Sequence, residues 1–167
     1  MVIVVMGVSG VGKTTVGREL ARDLGWSFYD ADDLHSPGNI ERMRSGTPLT
    51  DEHREAWLSA LATLIGEHAR ESHSMVLACS ALRRSHRDAL LAKTPDTRDV
   101  RLVHLHADAA QLRERLEDRD GHFFPAGLLA SQFDTLERPG PDEDVLVLDA
   151  MRPVDELVDT IRTELDI

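Results

Sequence analysis

Apolar residues along the chain gather in five short runs: Val2 to Met6, Ser27 to Asp30, Met75 to Cys79, Val100 to His106 and Val145 to Asp149. Short runs of this kind, without strict alternation, predict strands buried on both faces of a parallel sheet. Between the first two, Val16, Leu20, Ala21 and Leu24 recur at helical spacing from Lys13 to Leu24, and Gly25 follows as a stop. A second stripe of Trp57, Leu58, Leu61, Leu64 and Ile65 predicts a helix from Asp51 to about Ser72. Further helices are predicted over residues 81–93, 109–119, 126–137 and 154–165, with KTPDT and ERPGPDED as loops. Strand and helix alternate throughout, which predicts an open parallel sheet covered by helices on both faces, with ligands beyond the carboxyl ends of the strands. A chain of 167 residues builds one core, so residues 1–167 are expected to form a single domain.

The formal net charge of -11 argues against a nucleic-acid partner, since phosphate backbones are held by clustered Lys and Arg. Cys79 is the single cysteine and has no zinc-type Cys/His spacing around it, so a reduced, cytoplasmic setting is expected. The N-terminal apolar run is too short for a signal-peptide core, lacks a basic lead and passes straight into a glycine-rich turn. No other segment approaches membrane-spanning length, and no membrane partner is expected.

That turn, GVSGVGKTT at residues 7–15, matches G-x-x-x-x-G-K-[ST], with a predicted strand before it and a predicted helix after it. Gly7, Val8, Ser9, Gly10, Val11 and Gly12 would turn backbone N–H groups inward on phosphates, and the helix N-terminus would add its positive end. Lys13 would reach the β- and γ-phosphates, and Thr14 would offer its hydroxyl to Mg²⁺. Thr15 either touches phosphate from the helix start or is a small first-turn residue. The expected nucleotide cofactor is ATP with Mg²⁺.

A loop of this type also serves regulatory GTPases. A guanine-reading Asn-Lys-x-Asp is absent, because Asn39 is the only asparagine, and the Asp-x-x-Gly at 118–121 falls at a helix end instead of after a strand. The carboxyl end of the second strand instead carries DADD at 30–33. In extended chain Asp30 and Asp32 point to one side and Asp33 to the other. Two carboxylates there suit a phosphotransferase, Asp32 taking the acceptor hydroxyl proton and Asp30 supporting Mg²⁺ directly or through water. The competing use is as caps of the next helix.

Taken in order, MGVSGVGKT, DADDLHSPGNIERMRSGTPLTDEHREAWL, CSALRRSHRD, RDGHFFPAGLLASQFDTLERP and DVLVLD resemble the gluconokinases of the small shikimate-kinase-like P-loop group. The resemblance runs from the first strand to the last. It implies a nucleoside-monophosphate-kinase-like three-layer α/β/α fold, a sheet of order 2-3-1-4-5, an acceptor-binding region near 35–72 and a lid near 115–135. It further implies Mg²⁺-dependent phosphorylation of D-gluconate at the 6-hydroxyl by ATP, and a homodimer. On matching positions it implies acceptor contacts for Asp32, His35, Ser80 and Arg87, and an adenine-side loop from Asp149 to Pro153 that includes Arg152. The third acid of DADDLH departs from the family pattern, where a neutral or apolar residue is common.

The residues themselves supply further candidates. Arg54 lies one turn ahead of the Trp57 stripe on the same face, so it either forks onto a sugar-acid carboxylate or pairs with Asp51 or Glu55. His35 is either an acceptor contact or a histidine at a helix entry. In the lid, Arg115 and Arg119 share a helix face four residues apart. Either would neutralise the transferring phosphoryl group and exclude water, with Arg119 the stronger candidate, or would pair with Glu114, Glu117 or Asp118. His122 stands where it would approach substrate or phosphate. His104 and His106 share a strand face but lack a third ligand, so no metal site is read there. Two other readings remain open: another small-acceptor kinase, such as a shikimate kinase, and a regulatory module that binds nucleotide without transferring phosphate.

Overall fold

The computed structural model describes residues 1–45, 47, 49–117 and 126–167. All five apolar runs are strands: β1 (Val2–Met6), β2 (Ser27–Asp30), β3 (Met75–Ala78), β4 (Val100–His106) and β5 (Val145–Asp149). They pair in parallel in the order β2-β3-β1-β4-β5. Val4 of β1 stands opposite Leu77 of β3 on one side and Leu102 of β4 on the other. Because β3 and β4 flank β1 on opposite sides, the winding reverses there and a crevice opens at its carboxyl end.

Every residue of β1 is fully buried, and the two faces of the sheet feed separate apolar clusters. On one, Ile3, Val5, Val103 and Leu105 pack with Val16 and Leu20 of α1 (Lys13–Leu24) and with Leu157 and Ile161 of α7 (Val154–Leu165). On the other, Val4, Met6, Leu77 and Leu102 pack with Trp57, Leu61 and Ile65 of α3 (Asp51–Arg70). Two-sided burial is why the central strands β1, β3 and β4 read as continuous apolar runs instead of alternating ones.

Helix ends follow local chemistry. Helix α1 closes in a Schellman turn: Gly25 sits at φ 67°, its N–H reaches Arg22 O and the Trp26 N–H reaches Ala21 O. At the start of α3, the Thr50 side chain accepts from the His53 N–H while the His53 ring accepts from the Thr50 N–H. Helix α2 (Pro37–Arg44) was not among the predicted helices, although Ser36 caps the Asn39 N–H and proline occupies its first position. Its Asn39 amide donates to His53 O at 2.9 Å and ties it to α3.

Helix α4 (Arg84–Leu91) is shorter than its predicted span, because Ala81 takes φ 44° and the chain turns before Arg84. The predicted lid near 115–135 takes in the end of α5 (Ala109–Glu117) and all of α6 (Ala126–Thr135), and its residues 118–125 lie outside the described residues. Among the described residues no helix is long and apolar enough to cross a membrane.

Candidate active site

The glycine-rich loop joins β1 to α1 at the crevice, and two of its glycines are required by close approach. Gly7 has φ 142°, and a Cβ on it would lie 2.6 Å from Leu105 O; Gly10 has φ 81°, and a Cβ would lie 2.9 Å from the Leu116 side chain. Val8 and Val11 bury their side chains in the core, so they anchor the loop and present only backbone to a ligand. Thr15 is exposed on the first turn of α1.

Lys13 curls back over the loop, its Nζ donating to Val8 O at 3.0 Å. Burial pulls its pKa below the usual lysine value, with the charge of Asp32 the largest opposing influence. Thr14 Oγ1 donates to Asp30 Oδ2 at 2.8 Å, joining the start of α1 to the end of β2.

Beyond Asp30 the chain is not extended, as the argument from strand alternation requires. Residues Ala31–Leu34 form a 3-10 turn, capped by Asp30 Oδ1 accepting from the Asp32 N–H at 3.2 Å. Asp30 therefore serves as a cap and as the partner of Thr14 together. Asp32 opens onto the cleft, yet the surrounding walls exclude enough water to raise its pKa. Burial is the first cause and the charge of Asp30 the second, with Lys13 and His35 pulling the other way.

The region predicted to bind the acceptor is organised by Trp57, which sequence reasoning assigned only to the apolar stripe. Its indole Nε1–H donates to Ala31 O at 2.7 Å, and its ring stacks on His35 at 4.4 Å and 13°. One side chain therefore fixes the residue before Asp32 and the ring three residues after it. Periodicity detects the burial of this tryptophan but cannot detect the bond from its polar edge.

His35 is 8% exposed, and its Nδ1 is buried with no hydrogen-bond partner among the described residues. Burial lowers its pKa; the charge of Asp32 opposes this and that of Arg54 adds to it. Arg54 lines a cavity of about 620 Å³ between α3 and α4 with Arg83, His86 and Lys93. Neither Lys13 nor Asp32 is in that lining. Ser80 is half-buried, and its carbonyl accepts from the Gly7 N–H at 3.3 Å, fastening the end of β3 to the loop.

Arg87 corrects an expectation. Instead of facing an acceptor it is 1% exposed, and its guanidinium forks onto Glu143 at 2.6 and 2.8 Å. It also donates to the carbonyls of Ala81, Leu82 and Glu137. The loop from Glu137 to Asp144 folds over α4, held also by the Arg84 N–H to Glu137 Oε2 and by Arg84 to Asp142. Its donors reach Glu143 and three backbone carbonyls, so in this arrangement Arg87 ties α4 to the loop from Glu137 to Asp144.

At the nucleotide edge, Arg115 donates to Ala150 O at 2.7 Å, which brings α5 against the loop after β5. Asp149 Oδ1 accepts from the Met151 N–H and shapes that loop. Arg152 bonds along α7 to Glu156 and Thr160, and Pro153 caps that helix. His104 is buried, with a pKa pulled down to about 4, chiefly by burial and then by His106. Among the described residues no group of three or more His, Cys, Asp or Glu is arranged to hold a metal. Arg119 and His122 lie outside the described residues.

A family model described as an AAA domain matches residues 2–139. The chain is 48% identical to the gluconokinase of Gluconobacter oxydans (strain 621H) over 144 residues, covering 86% of this chain and 79% of that one. It is 41% identical to the thermoresistant gluconokinase of Escherichia coli (strain K12), covering 94% and 89%. The crystal structure of a gluconokinase from Sinorhizobium meliloti 1021 superposes with a TM-score of 0.85 at 41% identity, covering 98% of this chain and 90% of that one. A shikimate kinase from Aquifex aeolicus, at 18% identity and a TM-score of 0.64, shares the fold alone. With the phosphate loop and its acids at the edge of a 2-3-1-4-5 sheet, and with this identity over most of its length, the chain belongs to the gluconokinase family.

Proposed function

We propose that the protein transfers the γ-phosphoryl group of ATP to the 6-hydroxyl of D-gluconate, giving 6-phosphogluconate and ADP. The observation that carries this reading is the place of Asp32 in the turn after β2, whose capping residue Asp30 accepts from Thr14 of the phosphate loop at 2.8 Å. A carboxylate there meets an acceptor hydroxyl at the phosphate loop. In the transfer, Asp32 accepts the hydroxyl proton, the sugar oxygen bonds to the γ-phosphorus and the bond to the β,γ-bridging oxygen breaks. Lys13 balances charge on the phosphates, and catalysis comes from positioning and electrostatics.

Arg54 and His35 hold the acceptor, with Arg54 recognising the carboxylate that separates a sugar acid from a neutral sugar. Ser80 borders the same cleft. Thr14 and Asp30 are hard oxygen donors 2.8 Å apart, the type Mg²⁺ takes directly or through water. Bound there, the ion would neutralise developing phosphate charge. Arg115 and the loop from Asp149 to Pro153 flank the adenine, and Arg119 and His122 are proposed at the phosphoryl group and acceptor on family resemblance. A homodimer acting in a reduced cytoplasm completes the proposal.

The test is ADP release with Mg-ATP across D-gluconate, shikimate, other sugar acids and no acceptor. Stimulation by gluconate is expected. Stimulation by shikimate alone would replace the acceptor, and acceptor-independent release would favour a nucleotide-binding module. Asp32→Asn should abolish transfer while retaining ATP binding; full activity in that variant would remove the base from the scheme.

A further inference from the structure

The phosphate loop is held from outside the core at its tip. Ser9 donates its backbone N–H to Gln132 Oε1 at 2.6 Å, and Gln132 Nε2 donates to Ser9 Oγ at 2.8 Å. The partners are 123 residues apart in sequence, and Gln132 sits on α6, between α5 and β5 in chain order. The neighbouring Gly10 is met by Leu116 of α5 so closely that a Cβ would collide with it. Two helices therefore grip consecutive residues of the loop. The strand that carries the loop is tied down separately, by Gly7 N–H to Ser80 O.

The two-point contact fixes more than position. A backbone N–H can only donate, so Gln132 must turn Oε1 toward it, and its NH₂ then faces the hydroxyl. Ser9 Oγ is thereby made an acceptor from Gln132, and its own proton has to be donated elsewhere. No described residue accepts that proton. Ser9 is half-buried in a loop whose valine neighbours bury their side chains in the core, so its hydroxyl proton is open to solvent and to a phosphate oxygen that would take the place of water there.

We propose that Gln132 is a positioning residue for phosphoryl transfer, which orients the Ser9 hydroxyl as a hydrogen-bond donor to the phosphate being moved. The proposal rests on the ATP-dependent phosphotransferase reading and deepens it. Gln132 acts through Ser9 and touches no substrate itself. Its neutrality matters, because a carboxylate in its place would accept from the Ser9 N–H but could not donate to the hydroxyl, and would set a negative charge beside the phosphates.

The experiment compares Ser9→Ala, Gln132→Ala, Gln132→Met and Gln132→Glu in steady-state assays with Mg-ATP and gluconate, with binding of a non-hydrolysable ATP analogue measured in parallel. Ser9→Ala and Gln132→Met should each lower kcat by about tenfold, the worth of one oriented hydrogen bond, with KM for gluconate unchanged. A variant that combines Ser9→Ala with Gln132→Met should be no slower than either single one, because the two side chains act as a unit. Gln132→Glu should additionally weaken analogue binding about tenfold. Thermal unfolding is followed throughout, and the near-isosteric Gln132→Met keeps the test open if Gln132→Ala folds poorly. Additive losses, or wild-type kcat in folded Gln132→Met, would overturn the proposal. A wild-type protein inactive on every acceptor would defeat the phosphotransferase reading; unchanged analogue binding in Gln132→Glu would then defeat this one as well.

Discussion

Replacing Arg87 by alanine should unfold the protein more readily without changing how it recognises its substrate. The guanidinium makes two charge-assisted bonds to Glu143, whose side chain is 10% exposed, and reaches three backbone carbonyls. Alanine would leave a buried carboxylate and those carbonyls unpaired. Breaking a buried pair from one side costs about 3–5 kcal/mol, a large fraction of the roughly 5–15 kcal/mol that holds a domain folded. At about 2–4 °C per kcal/mol for a chain of this size, Tm should fall by roughly 6–20 °C. Glu143→Gln leaves the carbonyl bonds in place and should cost less, about 1–3 kcal/mol. The assay pairs urea and thermal unfolding by circular dichroism with KM for gluconate, measured well below the lowered Tm. An Arg87→Ala protein that melts within 2 °C or so of wild type, with a KM raised about tenfold, would refute the reasoning and return Arg87 to the substrate site.

Three further outcomes are expected. Trp57→Phe keeps an aromatic face for His35 but loses the bond to Ala31 O, so it should cost about 1–2 kcal/mol in urea unfolding and raise KM for gluconate more than KM for ATP; equal effects on both constants would detach Trp57 from the acceptor side. The acid limb of kcat/KM should lie above the ordinary aspartate value of 3.8, because burial and then Asp30 raise the pKa of Asp32. Asp30→Asn removes the second of these causes, so the limb should move to lower pH in the residual activity, and an upward move would contradict the assignment. Glu143 has a folded pKa below its ordinary 4.5, first through the Arg87 hydrogen bond, so its contribution is complete above that value and is lost as pH falls through the folded one. In Glu143→Gln, Tm should consequently decline less steeply on acidification, as a pH series of melts would read.

The centre of the sheet was legible because β1, β3 and most of β4 are buried, which leaves apolar runs with nothing to confuse them; the spans of β1, β2, β4 and β5 match the predicted ones end to end, although the edge strands β2 and β5 are only partly buried. The phosphate loop was legible for a different reason: its glycines are dictated by backbone conformation and close approach, so chemistry and sequence coincide. Two things were not. The 3-10 turn at Ala31–Leu34 depends on Asp30 capping it, and four residues are too few for any period to declare itself. The burial of Arg87 depends on the loop from Glu137 to Asp144 folding over α4, and that loop's acidic, proline- and glycine-rich composition reads as solvent-exposed. Charge was visible at both places, but partnership across 56 residues was not. Trp57 shows the same limit in milder form, since its stripe position announced burial while its bond to Ala31 needed three dimensions.

Cys79 closes β3 beside the central strand, its N–H bonded to Val5 O at 3.0 Å, 2% exposed and with its thiol pushed up to about 12, mainly by burial. Thiol reagents attack the thiolate, which this site both withholds and shields. As the chain has no other cysteine, alkylation has a single place to act, and it can act only when the middle of the sheet comes apart. The protein thus contains its own unfolding clock: the rate at which one thiol becomes modified under native conditions counts openings of the sheet that carries the phosphate loop, and slowing of that rate by a nucleotide would report how firmly the loop's ligand holds the sheet closed.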